Sequence, residues 1–167
     1  MQRPGVCNAL ETLLINSQIY QDMGSLIIEK LLENKVELFV DETIKEDFSN
    51  LNLANESHYE TEFLDLKLAV KVVDSVDQAI EHIKVYSSGH TEAILTESKE
   101  VADTFAKSID SSVIFINSST RFTDGEMFGF GSEIGISTQK LHVRGPMGLE
   151  ALTNERYVVT GEGTVRG

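Results

Sequence analysis

Sulfur, proline and positive charge are all scarce in this chain. Its 167 residues include one cysteine, two prolines and no tryptophan. A lone cysteine forms no internal disulfide, which points to a reducing compartment such as the cytosol. Fourteen Lys and Arg against 27 Asp and Glu leave a formal net charge of −13. That balance argues against nucleic acid as a partner, because binding it needs a basic surface that releases counterions. No apolar run approaches the length of a membrane span and no secretory signal precedes the first motif, so the expectation is a soluble, cytoplasmic protein without a membrane partner. His58, His82, His90 and His142 lie far apart, and no HExxH or paired-cysteine spacing occurs, so no metal site is expected. No nucleophile elbow of the G-x-S-x-G type is present.

What remains is an ordinary globular mixture, 41% hydrophobic and 25% charged, of a length that suits one domain. Leu10, Leu13 and Leu14 predict a helix over Asn8–Ser17, and Leu26, Ile27 and Leu31 a second. Val36–Val40 reads as a buried strand, Glu42–Leu53 as a helix and Asn55–Thr61 as a polar connection. Phe63–Val73 alternates as an extended segment. Ser75 and Gln78 form a capping-box pair for the next helix. A strand over Ala93–Thr96, a helix over Ser98–Ile109 and a strand over Val113–Ile116 follow. Periodicity then stops between Asn117 and Gly135, where an irregular, Gly-containing loop points to function or mobility. Tyr157–Thr160 reads as a last strand. Strands alternating with helices indicate an α/β layered sheet.

Cys7 is the first candidate for chemistry. It precedes Asn8, which can cap a helix, with Glu11 placed to complete a capping box; a helix dipole there would lower the thiol pKa and make a nucleophile. The competing reading is a small buried residue, since unpaired cysteines are among the most buried types. A second candidate is Asn117-Ser-Ser-Thr-Arg121, whose hydroxyls and guanidinium can hold a carboxylate or phosphate. Its competitor is a solvated turn with an Arg121–Asp124 pair. Arg3 and Arg144 are other possible anion contacts. Glu62 could reach a hydroxyl or simply face solvent, and His82 and Tyr86, one turn apart, require nothing beyond packing. The motif around Cys7 begins two residues after Met1, which suggests a piece of a longer protein.

Four blocks carry a resemblance. They are Arg3-Pro-Gly-Val-Cys-Asn-Ala-Leu-Glu-Thr-Leu-Leu14, and Ala79-Ile-Glu-His-Ile-Lys-Val-Tyr-Ser-Ser-Gly-His-Thr-Glu-Ala-Ile94. Asn117-Ser-Ser-Thr-Arg-Phe-Thr-Asp-Gly125 continues through Phe128-Gly-Phe-Gly-Ser-Glu133, and Ile136-Ser-Thr-Gln-Lys-Leu-His-Val-Arg-Gly-Pro-Met-Gly-Leu-Glu150 closes the series. Together they resemble the C-terminal part of the γ-glutamyl phosphate reductase (glutamate-5-semialdehyde dehydrogenase) family, within the aldehyde dehydrogenase superfamily.

The resemblance implies an open, mostly parallel sheet flanked by helices. Residues 1–150 would form the catalytic domain, residues 151–167 a tail strand of the oligomerisation region, and the NADPH-binding domain would lie N-terminal to this chain. The implied reaction, a step of proline biosynthesis, reduces L-glutamyl 5-phosphate to L-glutamate 5-semialdehyde and phosphate through a thioester on Cys7. By the same resemblance Ser118, Ser119, Thr120 and Arg121 anchor the substrate's amino-acid end. Glu62 meets the nicotinamide ribose of NADPH, although Phe63-Leu-Asp-Leu66 departs from the usual superfamily pattern. A homo-oligomer and an association with glutamate 5-kinase are implied as well. Without the preceding domain, full turnover is not expected of the chain alone. Two other readings stay open: a non-enzymatic assembly piece that pairs with a partner chain, and a cofactor-free thiol acyltransferase or phosphatase.

Overall fold

The computed structural model describes residues 2–167. Its first regular element is not a helix. The chain turns through residues 4–9 and then extends as β1 (Thr12–Asn16), paired in parallel with β4 (Lys67–Val73), Thr12 opposite Ala69 and Asn16 opposite Val73. Leu10, Leu13 and Leu14 fit one helical face, but Thr12–Ile15 is equally a short apolar run suited to a buried parallel strand. Pairing with β4 and burial of Ile15 decide between them. The cap is Asn16 and not Asn8: its side chain accepts the Gln18 N–H at 3.0 Å and opens α1 (Ser17–Glu33).

Lys35, in the left-handed region at φ 61°, ends that helix and turns the chain into β2 (Glu37–Val40). Asp41 then has two tasks. One carboxylate oxygen caps α2 (Glu42–Asp47) through the Ile44 N–H at 3.0 Å, and the other accepts the Val72 N–H of β4 at 2.8 Å. The helix expected as far as Leu53 stops at Asp47, and Leu53 belongs to the short β3 (Asn52–Leu53). Within the expected polar connection lies α3 (Glu56–Glu60), capped reciprocally by Asn55 and the His58 imidazole.

The four strands form one parallel sheet in the order β1-β4-β2-β3. Ile28 of α1 and Ile44 of α2, both fully buried, pack with Leu38, Val40, Leu68 and Val70 of the sheet.

The second half begins with α4 (Val76–Tyr86). Ser75 caps it through the Gln78 N–H at 3.2 Å, while the Gln78 side chain reaches back to the N–H of Asp74, one residue before the position a capping box uses. β5 (Thr91–Ile94), two residues earlier than expected, pairs in parallel with β6 (Val113–Ile116) across α5 (Lys99–Ser108). Ile80, Phe105 and Ile109 make a smaller core there. Beyond Asn117 come a 3₁₀ turn at Thr120–Phe122 and an antiparallel pair, β7 (Gly135–Ser137) with β8 (Gly145–Met147). Tyr157–Thr160, expected as a strand, pairs with nothing among the described residues, and Val159 is 93% exposed. The architecture is α/β, with parallel strands flanked by helices.

Candidate active site

An open cleft of about 1760 Å³ lies between β1 and the β5 side of the molecule, with Cys7, Glu11, Glu62, His90, Thr91 and Thr120 among its lining residues. Cys7 is exposed and sits in a turn, so no helix dipole acts on it. Its pKa is raised, against the expectation of a lowered one. Partial burial is the largest cause, and the carboxylates of Glu133 and Glu62 add to it; its own backbone N–H and the Arg121 guanidinium act the other way. Gly125 explains how Glu133 comes to lie there. Its N–H donates to Glu133 Oε2 at 3.0 Å, and a Cβ at position 125 would meet that of Glu133 at 2.9 Å.

Glu11 is not a capping partner either. Burial and the neighbouring Glu62 push its carboxyl up to about 7, partly opposed by the Phe63 backbone N–H. Such a group exchanges protons near neutrality. Glu62 itself is exposed, and among the described residues its carboxylate forms no hydrogen bond or ion pair.

Arg121 is half-buried and does not pair with Asp124, which instead accepts the N–H groups of Glu126 and Met127. Its Nη1 donates to Asn8 Oδ1, and its buried Nε has no partner among the described residues. Thr120 Oγ1 donates to the Asn8 carbonyl at 2.8 Å, and Ser119 Oγ accepts the Arg121 N–H at 3.2 Å. Of Ser118, Ser119, Thr120 and Arg121 only Thr120 lines the cleft; Ser119 is exposed, and Ser118 and Arg121 are half-buried. The charges of Glu62 and Arg121 both act on Cys7, whereas Ser118 and Ser119 do not line its cleft. Arg144 is engaged elsewhere, paired with Asp110 at 2.8 Å, and Arg3 is exposed.

Three residues here escaped the sequence reading. Asn8 is a hub of hydrogen bonds and not a helix cap, the Glu133 charge acts on the thiol, and His90 Nδ1 meets Thr91 Oγ1 at 2.7 Å, with Thr91 bonded to Thr123 at 2.9 Å. Only the adjacency of Asn8 to Cys7 offered a signal. His82 packs as expected, edge-on to Tyr59 at 4.8 Å, and burial, with Lys71 nearby, pushes its imidazole down to about 4.

No protein-family profile matches the chain. A γ-glutamyl phosphate reductase of Thermoanaerobacter sp. (strain X514) is 52% identical over 166 residues, which is 99% of this chain and 40% of that protein. The chain is a homologue of the γ-glutamyl phosphate reductases. The γ-glutamyl phosphate reductase of Thermotoga maritima, 50% identical, superposes with a TM-score of 0.91 over 99% of this chain and 40% of its own. A propionaldehyde dehydrogenase from Clostridium phytofermentans, 15% identical, gives a TM-score of 0.59 over 90% of this chain and 42% of its own, which shows the aldehyde dehydrogenase-like fold alone. This homologue of the reductases spans 40% of the length of the relatives it matches.

Proposed function

We propose that this chain is the catalytic part of a γ-glutamyl phosphate reductase of proline biosynthesis, with Cys7 as its nucleophile. The observation that carries the reading is the 52% identity over 99% of the chain, a span that contains the only thiol. In the proposed reaction the Cys7 sulfur attacks the γ-carbonyl carbon of L-glutamyl 5-phosphate. A C–S bond forms, the C–O bond to phosphate breaks, and phosphate leaves with the electron pair. The Cys7 backbone N–H is assigned to the developing oxyanion. Arg121, with Ser118, Ser119 and Thr120, is assigned to the substrate's amino-acid end.

NADPH, when bound, supplies the hydride that carries the thioester to L-glutamate 5-semialdehyde. The unpartnered carboxylate of Glu62 on the cleft fits an acceptor for ribose hydroxyls. Among the described residues no Gly-rich turn opens a helix after a strand to hold a pyrophosphate, and the contact assigned to this chain is the ribose contact. Acyl transfer, and not full turnover, is the activity expected of the chain alone. We place it in the cytoplasm as part of a homo-oligomer, the exposed Tyr157, Val158 and Val159 being the self-association segment.

That same exposed tail favours a second reading, a non-enzymatic assembly piece. Mass spectrometry of the chain treated with L-glutamyl 5-phosphate separates the two. A glutamyl adduct on Cys7, cleaved by hydroxylamine and missing in Cys7→Ser, is expected. An unmodified thiol that iodoacetamide still alkylates would overturn the enzymatic reading.

A further inference from the structure

We propose that Asn8 is a positioning residue that holds the Arg121 guanidinium in a fixed relation to the Cys7 thiol while leaving its charge free for an anionic substrate group. Three bonds carry the argument. Asn8 Nδ2 donates to the Thr123 carbonyl at 2.8 Å, the Asn8 carbonyl accepts the Thr120 hydroxyl at 2.8 Å, and Asn8 Oδ1 accepts Arg121 Nη1. Asn8 is 6% exposed although its neighbour Cys7 is exposed, so the thiol projects from a buried anchor. Every partner lies 112 to 115 residues further along the chain, in the loop that follows β6. The anchor is therefore a tertiary clasp and not a local turn.

The chemistry of the acceptor matters. A carboxylate at this position would orient the guanidinium equally well and would neutralise it. The carboxamide of Asn8 is neutral. Among the described residues no carboxylate forms an ion pair with Arg121, and its buried Nε has no partner. A cation oriented by a neutral group, with donors left unused, is arranged to receive an anion. Thr123, 2% exposed, extends the clasp through Thr91 to the His90 ring, so the strand β5 side is held by the same contacts. The role deepens the function proposed above, because it takes Cys7 as the reacting atom and Arg121 as the anion contact.

Competing alkylation of Cys7 tests it without requiring turnover. Iodoacetate is anionic and iodoacetamide is neutral, so the ratio of their rates reports the positive charge beside the thiol. Its low-salt value should fall about fivefold in Arg121→Gln and nearly as far in Asn8→Ala. The double variant should fall no further than Arg121→Gln alone. Asn8→Ser, which keeps a small acceptor, should hold an intermediate ratio and covers the case in which Asn8→Ala does not fold. An unchanged ratio in a folded Asn8 variant, or a double-variant loss equal to the product of the single losses, would overturn the proposal. Variant ratios that behave as described while no acyl adduct forms on Cys7 would support the clasp and reject only the enzymatic reading.

Discussion

The two halves of this molecule are built to different strengths. The four-stranded sheet and its helices share ten buried hydrophobic residues, whereas three support the α4–β5–α5–β6 unit. Two paired strands are marginal by themselves, and a small core makes local opening easier. Cys7 leads into the well-supported half, and Arg121 follows the last strand of the weaker one. A site divided in this way draws its nucleophile from one half and its anion contact from the other, and the bonds made by Asn8 join them.

Core truncation would expose the difference most strongly. Ile28→Ala, at a fully buried position, should cost about 3 kcal/mol of global stability in urea melts. Phe105→Ala should chiefly speed amide exchange in β5 and β6, leaving β1 and β4 protected. Equal protection loss in both halves would show that they open as one unit. Asp41→Ala, which removes the α2 cap and the bond to Val72, should cost about 2 kcal/mol and act only through the first half.

Proton linkage gives a smaller effect of two opposing signs. The Glu11 carboxyl, raised to about 7, contributes stability that is full below its unfolded pKa near 4.5 and is lost as pH rises through about 7. His82, lowered to about 4, contributes stability present above 6.5 and lost as pH falls through about 4. Each is worth about 1 kcal/mol once solvent screening is allowed for. Glu11→Gln should flatten the loss towards neutral pH, and His82→Phe the loss towards acid, in thermal melts from pH 4 to 8. An unaltered pH profile in either variant would show that the group titrates alike folded and unfolded. Least of all, Val159→Ser in the exposed tail should leave stability within about 0.5 kcal/mol.

Local signals disclosed much of this architecture. The amphipathic spacing of α1, α4 and α5, the Ser75 cap and the apolar runs of β2 and β6 all act over a few residues. β1 was illegible because Leu10, Leu13 and Leu14 suit either period, and the deciding partner is β4, more than fifty residues away. The cap of α3 was hidden because a histidine plays the part usually taken by Glu or Gln. At the site, Cys7 was legible as the lone thiol beside a recognisable motif. The direction of its pKa was not, since the partial burial that chiefly raises it, and the Glu133 and Glu62 carboxylates that add to it, are set by distant segments. The same distance concealed the work of the Asn8 side chain.

That distance also bears on the order in which the molecule assembles. Bringing Asn8 to Thr123 closes a loop of 115 residues, among the longest the fold contains, and such contacts form late. On a ribosome moving at 5–20 residues per second, roughly ten seconds separate the synthesis of Asn8 from that of its partners. Throughout that interval the nascent chain carries a sulfur without the Arg121 and Glu133 side chains that later surround it, so the thiol is most open to oxidation or mispairing before the protein is finished.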